Sequence, residues 1–182
     1  MDILLKNGQP VLIRHLKSGD IQNLFNYLSS FSDETKSCFG PHPFDFGTVQ
    51  NICNNLQNDD VMRYIAVEGN VNIIACMLFK QGMIEEDKNR YTARNQFYDY
   101  HNSVIYAPSV ADAYQSSGVG GAMYLQIEPQ LKEKGIKHII LWGGVQATNE
   151  RAVNFYKKFS YELKGSFWHN EKDNFDMVKG LT

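Results

Sequence analysis

The chain has 182 residues, of which 43% are hydrophobic and 21% charged, and its formal net charge is -2 at pH 7. This length predicts one domain over residues 1–182, with an insertion at about 81–102. The small net charge gives no electrostatic reason to expect nucleic acid or an anionic membrane as a partner.

The cysteines and the hydropathy predict the compartment. Cys38, Cys53 and Cys76 are odd in number, and no two are spaced like a metal-binding pair, so we expect reduced thiols and no bound metal. No apolar run approaches the ~20 residues that a membrane span needs, and the amino terminus lacks the features of a secretory signal. The expected location is the cytoplasm, and the expected state is a monomer or a homodimer.

The first third of the chain predicts one strand and two helices. An apolar run predicts a strand over 11–14, and capping residues at 18–20 predict a helix whose apolar face begins at Ile21. Two prolines in 39–44 exclude a regular helix there. Thr48 is then expected to cap a second helix.

The middle of the chain predicts three strands and one segment that is hard to interpret. Strands are expected over 63–68 and 71–80, joined by a Gly-Asn turn at 69–70. Residues 81–102 are charged and aromatic, and we treat them as an insertion of uncertain structure. A further strand is predicted over 103–110.

The next segment predicts a long helix and a buried strand. An apolar residue at every fourth position from Val119 to Leu131 predicts one apolar stripe. Pro129 lies inside this stripe and should kink the helix or shorten its regular part. Ile and Leu residues then predict a short strand over 138–142 that is buried on both faces.

The end of the chain predicts a capped helix and a hairpin. Thr148 or Asn149 is expected to cap a helix that runs to about Phe159, and strands over 161–169 and 175–179 follow. Successive strands alongside strand–helix–strand units predict a mixed α/β fold, with one mixed sheet and helices on both faces.

The glycine-rich run YQSSGVGGAM at 114–123 is the strongest candidate for a binding loop. A phosphate-transferring loop needs Lys and then Ser or Thr after its last glycine, whereas Ala122 and Met123 stand here. A dinucleotide loop would need a small residue in place of Met123. With these two nucleotide-binding loops excluded, two interpretations stand. The free N–H groups at the start of the helix can bind a pyrophosphate, or the glycines only form a tight turn between strand and helix.

Two motifs together resemble those of the GNAT superfamily of acetyl-CoA-dependent N-acyltransferases. The first is Gln115-Ser-Ser-Gly118-Val-Gly120, which matches the Gln/Arg-x-x-Gly-x-Gly/Ala signature. The second runs from Asn149 to Tyr161, NERAVNFYKKFSY, and resembles the signature Asn-x-x-Ala-x-x-Leu-Tyr-x-x-x-Gly-Phe. The chain departs from the family at Asp112, where proline is common, and at Ser160, where glycine is typical.

The resemblance implies a fold and a cofactor. The expected fold is a GNAT-like, mostly antiparallel sheet that splays between the family's fourth and fifth strands. The cofactor implied is acetyl-CoA, with its pantetheine arm along the backbone of Ser109 and Val110. Its pyrophosphate would lie on a loop made of Gln115, Ser116, Ser117, Gly118, Val119, Gly120 and Gly121. Asn149 would steady the cofactor, and Ala152 and Phe155 would line it.

Tyr156 is the residue that the resemblance implies for catalysis. It lies seven residues after Asn149, so both would share one helical face. In the family, a tyrosine at this position protonates the departing thiolate, and a phenol with a pKa of ~10 carries its proton at neutral pH. The alternative for Tyr156 is a buried tyrosine of the core.

No general base can be assigned from the sequence. The places where relatives often carry a glutamate hold Ile105, Tyr106, Gly143 and Gly144. Ionisable candidates elsewhere are Glu68, Glu85, Glu86, Asp99, His101 and His42. Residues 39–44 and the aromatic insertion either form the acceptor pocket or only cover the core.

The sequence thus predicts an N-acetyltransferase that moves an acetyl group from acetyl-CoA to a primary amine of a small molecule, peptide or protein. Direct attack in a ternary complex is the expected mechanism. The alternative is a non-catalytic domain that binds or senses acyl-CoA.

Overall fold

A computed structural model describes residues 1–69 and 71–181 of the chain. The chain forms two compact units. The first unit comprises Met1–Phe79 and Ala107–Pro129, and the second comprises Lys80–Tyr106 and Gln130–Thr182.

Within the described residues there are nine strands and six α-helices. The strands are β1 (Asp2–Leu4), β2 (Pro10–His15), β3 (Val61–Glu68), β4 (Asn72–Gln81), β5 (Ser103–Val110), β6 (His138–Leu141), β7 (Val145–Gln146), β8 (Glu162–His169) and β9 (Lys172–Gly180). The helices are α1 (Ile21–Ser29), α2 (Asp33–Ser37), α3 (Phe46–Asn54), α4 (Glu85–Thr92), α5 (Val119–Glu133) and α6 (Glu150–Lys158).

The strands of the first unit follow the order β1-β2-β3-β4-β5. The pairs β1–β2 and β2–β3 are antiparallel, and Val11 and Ile13 of β2 are buried on one face. The predicted strands over 11–14, 63–68, 71–80 and 103–110 are confirmed. In the predicted turn, Gly69 has a left-handed φ of 60°, whereas Asn70 lies outside the described residues. β1 was not predicted, because three residues are too short to show a period.

The helices of the first unit differ from the sequence-based expectation in three respects. Asp45, and not Thr48, caps α3, because the Asp45 carboxylate accepts the N–H of Thr48 at 2.9 Å. α2 was not predicted, and it is capped by the side chain of Ser32. α5 runs through Pro129 to Glu133, so of the two expected effects of Pro129, a kink or a shortening, the helix is not shortened there.

The second unit contains the one parallel pair among the described strand registers. β5 pairs with β6 in parallel over Ser103–Tyr106, while β9 pairs antiparallel with β6, β7 and β8. Ile139, Ile140 and Leu141 are all buried, as predicted for this strand. The expected mixed, mostly antiparallel sheet is therefore confirmed. β7, with two residues, was too short to predict.

The segment 81–102 contains α4, which ion pairs hold in place in the second unit. Asp87 accepts the N–H of Gly143 at 3.0 Å and the guanidinium of Arg90 at 2.6 Å. Asp176 of β9 is fully buried and pairs with both Arg90 (3.0 Å) and Arg94 (2.6 Å). Charge pairs, together with the buried ring of Tyr91, thus anchor the helix that the sequence left unassigned.

Among the helices of residues 1–69 and 71–181, none is long and apolar enough to cross a membrane.

Asp176→Asn should strongly destabilise the protein. The change leaves the guanidinium groups of Arg90 and Arg94 without their shared buried carboxylate, and breaking such a buried pair typically costs about 3–5 kcal/mol. Urea denaturation of the variant measures the loss. The control is Glu162→Gln, which removes an exposed partner of Lys164 and should leave the midpoint almost unchanged. Equal midpoints for both variants would contradict this role.

Candidate functional site

The carboxyl-terminal half of β5 leads into the glycine-rich loop. Ser109 is buried, and its Oγ accepts the hydroxyl of Tyr27 at 2.9 Å. Directly after the strand, the N–H of Ala111 donates to the carbonyl of Ile74 at 2.9 Å. The backbone of Ser109 and Val110, proposed for the pantetheine arm, is therefore held by α1 on one side and β4 on the other.

The glycine-rich loop contains two left-handed residues and leads into the first turn of α5. Ser116 and Gly118 have left-handed φ angles of 64° and 94°. The N–H of Ala122 donates to the carbonyl of Gly118 at 3.0 Å, at the start of α5. The N–H groups of Gly120 and Gly121, in the first turn, have no acceptor within the helix and can serve an anion.

Asp112 connects this loop to α2. Its carboxylate accepts the N–H of Ser32 at 2.7 Å, the hydroxyl of Thr35 and the side-chain amide of Gln115 at 2.9 Å. Gln115 also donates to Thr35 (3.1 Å) and to the carbonyl of Val110 (3.4 Å). The Gln115 amide is thus used within the protein, where it shapes the loop. The departure from the family's proline at Asp112 has a structural reason.

Lys6 is a residue of this region that the sequence did not indicate. It lies in the turn between β1 and β2, and its side chain passes over Gly118. Its Cε, Cγ and Cδ lie 3.4, 3.6 and 3.8 Å from the place where a Cβ of residue 118 would be. The aliphatic part of Lys6 therefore covers the glycine, and an ammonium group stands beside the loop.

The other predicted site residues lie on α6, in the second unit. Asn149 caps the helix, since its side-chain oxygen accepts the N–H of Ala152 at 3.1 Å. The predicted cap and helix end are confirmed. The side-chain nitrogen of Asn149 still carries two N–H donors. Ala152 and Phe155 are half-buried on the same helix.

Tyr156 is buried among aromatic rings. Its ring centroid lies 5.3 Å from that of Tyr161, 5.5 Å from Phe155 and 6.3 Å from Tyr106. Burial raises the pKa of the Tyr156 phenol. The hydroxyl therefore keeps its proton throughout the neutral and mildly alkaline range, as a proton donor must.

Three of the six candidate bases have local hydrogen-bonding or ion-pairing roles. Glu68 accepts the hydroxyl of Tyr114 at 2.6 Å, and Asp99 accepts the N–H of His101 at 2.7 Å. Glu85 lies 3.7 Å from Lys88 in an exposed ion pair. These local contacts give each of the three carboxylates a structural role that does not require catalysis.

The family is shown by a sequence comparison. Residues 27–161 match the acetyltransferase (GNAT) family, and the chain therefore belongs to this family. The resemblance drawn from the two motifs is confirmed, and with it the assignment of the chain as an acyltransferase. A comparison with curated protein sequences gives no significant match.

Solved structures share the fold. The GNAT domain of S. lividans PAT is 19% identical, with a TM-score of 0.77 over 100% of this chain and 96% of that one. The ribosomal-protein-S5-alanine acetyltransferase of Vibrio fischeri is 12% identical, with a TM-score of 0.73 over 99% and 96%. The aminoglycoside acetyltransferase AAC(6')-Ib, solved with coenzyme A, is 20% identical, with a TM-score of 0.68 over 93% and 94%.

Gly118→Ala should weaken coenzyme A binding. An alanine disfavours the φ of 94° and meets the side chain of Lys6, so the free loop relaxes to another shape. Restoring the loop on binding costs about 1–3 kcal/mol, which corresponds to roughly a 5–100-fold weaker affinity. Isothermal titration with coenzyme A measures this.

Gly135→Ala is the matched control. Gly135 also has a left-handed φ, of 80°, with no atom within 4 Å of the added Cβ. It should lose stability in thermal denaturation but keep its affinity. Unchanged affinity in Gly118→Ala would contradict the role of the loop.

Proposed function

We propose that the protein transfers an acetyl group from acetyl-CoA to a primary amine by direct attack in a ternary complex. The observation that carries the proposal is the loop at 115–121, where left-handed Ser116 and Gly118 precede the open first turn of α5. Family membership supports the acetyl donor, and the loop chemistry supports the phosphate-bearing part of it.

The residues of the loop fit a pyrophosphate. The N–H groups of Gly120 and Gly121 offer donors, and the glycines allow a ligand to approach the backbone. The ammonium of Lys6 adds a positive charge beside the loop. Ser117 is held by its bonds to Tyr114 and Val119, so the loop is shaped before the ligand arrives. We therefore assign the pyrophosphate to 115–121, with Lys6 as an added contact.

The other proposed contacts lie on β5 and α6. The backbone of Ser109 and Val110 would pair with the pantetheine arm like an added strand. The amide nitrogen of Asn149 would donate to the cofactor, and Ala152 and Phe155 would line it. When bound, acetyl-CoA supplies the activated acyl group, and the residues named here bind and orient it.

Tyr156 is proposed as the general acid. Its buried phenol holds its proton at neutral pH and gives it to sulfur when the C–S bond breaks. The departing coenzyme A thiolate is basic enough to gain from a positioned proton donor, which accelerates this step.

The acceptor is proposed to be an amine of a small molecule, peptide or protein. Proteins with this fold are named for aminoglycosides and for the alanine of a ribosomal protein, which fits either kind of acceptor. The free thiols Cys38, Cys53 and Cys76 favour the reducing cytoplasm as the place of action.

Tyr156→Phe should lower kcat by about 100-fold while the KM for acetyl-CoA stays unchanged, because general acids typically contribute 10²–10⁴. Coenzyme A release with a panel of primary amines provides the assay. Tyr91→Phe is the control, since the buried Tyr91 hydroxyl has no hydrogen-bond partner among the described residues. Because the pKa of Tyr156 is raised, wild-type activity should not fall from phenol ionisation below about pH 10.

Two results would count against this function. Equal kcat in wild type and Tyr156→Phe would remove the role of the phenol. Tight acetyl-CoA binding without turnover on any amine would favour the binding or sensing domain.

A further inference from the structure

The loop at 39–44, between α2 and α3, holds a histidine against aromatic rings. The ring of His42 lies 5.2 Å from that of Phe39 and 6.4 Å from that of Phe44. Phe44 in turn packs 6.0 Å from Phe31, which follows α1. The imidazole is half-buried, and its orientation is fixed by packing rather than free in solvent.

One hydrogen bond determines the tautomer of His42. Its Nδ1 lies 2.8 Å from the carbonyl oxygen of Pro43. A carbonyl can only accept, so Nδ1 carries the proton, and Nε2 of the neutral ring has the lone pair. Nε2 is therefore the basic nitrogen of the ring, because the proton on Nδ1 is held by the hydrogen bond to the Pro43 carbonyl.

The surroundings of His42 favour the neutral ring. Burial lowers the pKa of His42 below its ordinary value, and the positive charge of Arg63 lowers it further. The Pro43 carbonyl and Asp45 oppose this shift. The imidazole is therefore ready to accept a proton at neutral pH, and the protonated form gains the attraction of Asp45.

Short steps connect His42 to the strand proposed for the pantetheine arm. The ring of His42 lies 6.4 Å from that of Phe44, which packs 6.0 Å from the ring of Phe31. The Phe31 ring lies 4.8 Å from that of Tyr27, whose hydroxyl donates to Ser109 of β5 at 2.9 Å. All five residues belong to the first unit. The histidine and the end of β5 thus share one part of the fold.

We propose that Nε2 of His42 is the general base that deprotonates the acceptor amine, an inference that rests on the function proposed above. A primary ammonium has a pKa near ~10, so only about one molecule in a thousand is a free amine at pH 7. A base at the acceptor is therefore chemically useful. The aromatic rings beside His42 would then contact the acceptor.

The acceptor ammonium loses two protons in the proposed step. His42 Nε2 takes one proton from the ammonium and later passes it to solvent. The amine lone pair attacks the thioester carbonyl carbon, so a C–N bond forms and the C–S bond breaks. Tyr156 gives its proton to sulfur and is reprotonated by the second proton that leaves nitrogen. The products are the amide, the thiol and one proton in solvent.

His42→Gln should lower kcat/KM for the amine by about 100-fold. The titration of His42, expected in the wild-type pH–rate profile below the ordinary histidine pKa, should disappear. Affinity for acetyl-CoA should be unchanged, because His42 is not assigned to the cofactor. His169→Gln, at an exposed position on the β8–β9 hairpin, is the control and should behave like wild type.

The outcomes separate the two proposals. Wild-type turnover with an unchanged pH profile in His42→Gln would overturn the base and leave the acetyltransferase standing. Absence of turnover with every amine in wild type would overturn the function. In that case, ¹⁵N NMR of the ring still tests the geometry, since a proton on Nε2 instead of Nδ1 would rule out the base.

Discussion

The carboxylate of Asp112 is the interaction on which the candidate cofactor loop depends. It lies between β5 and α5 and accepts donors from Ser32, Thr35 and Gln115. Relatives often have proline at this place, which restrains the chain through its ring. Here the same turn is held by charge-assisted hydrogen bonds to another part of the chain. The loop shape is therefore linked to α2 and to the segment that follows it.

The hydrogen bonds of Asp112 thus connect the two loops of the first unit that are proposed to bind the cofactor and the acceptor. The loop at 115–121 offers N–H donors to a phosphate, and the loop at 39–44 offers a neutral imidazole to an ammonium. α2 precedes the loop at 39–44 in sequence, and its capping residue Ser32 donates its N–H to Asp112. In the second unit, burial of Tyr156 favours the neutral phenol that a proton donor needs. Each chemical task is supported by its local environment rather than by a high net charge.

The sequence predicted features that local chemistry determines. Asn149 as a helix cap, β5 over Ser103–Val110 and the glycine loop before α5 all follow from residues close together in the chain. Thr48 was the wrong cap because Asp45 offers a carboxylate three residues earlier. Pro129 was tolerated because proline removes only one donor from a helix that packs along its apolar stripe.

What could not be predicted depends on distant contacts or on charge. Thr35 and Asp112 are 77 positions apart, and Lys6 contacts Gly118 across 112 positions. α4 has little apolar pattern, and its place depends on buried pairs with Asp176. The tautomer of His42 depends on the direction of one backbone carbonyl.

Amide NMR during a coenzyme A titration tests the central claim most directly. Coenzyme A should shift the N–H signals of residues 116–121 most strongly, and that of Lys6 as well. Pantetheine, which lacks the pyrophosphate, should leave these signals nearly unchanged. Binding of coenzyme A with no change at 116–121, or no binding at millimolar concentration, would contradict the account.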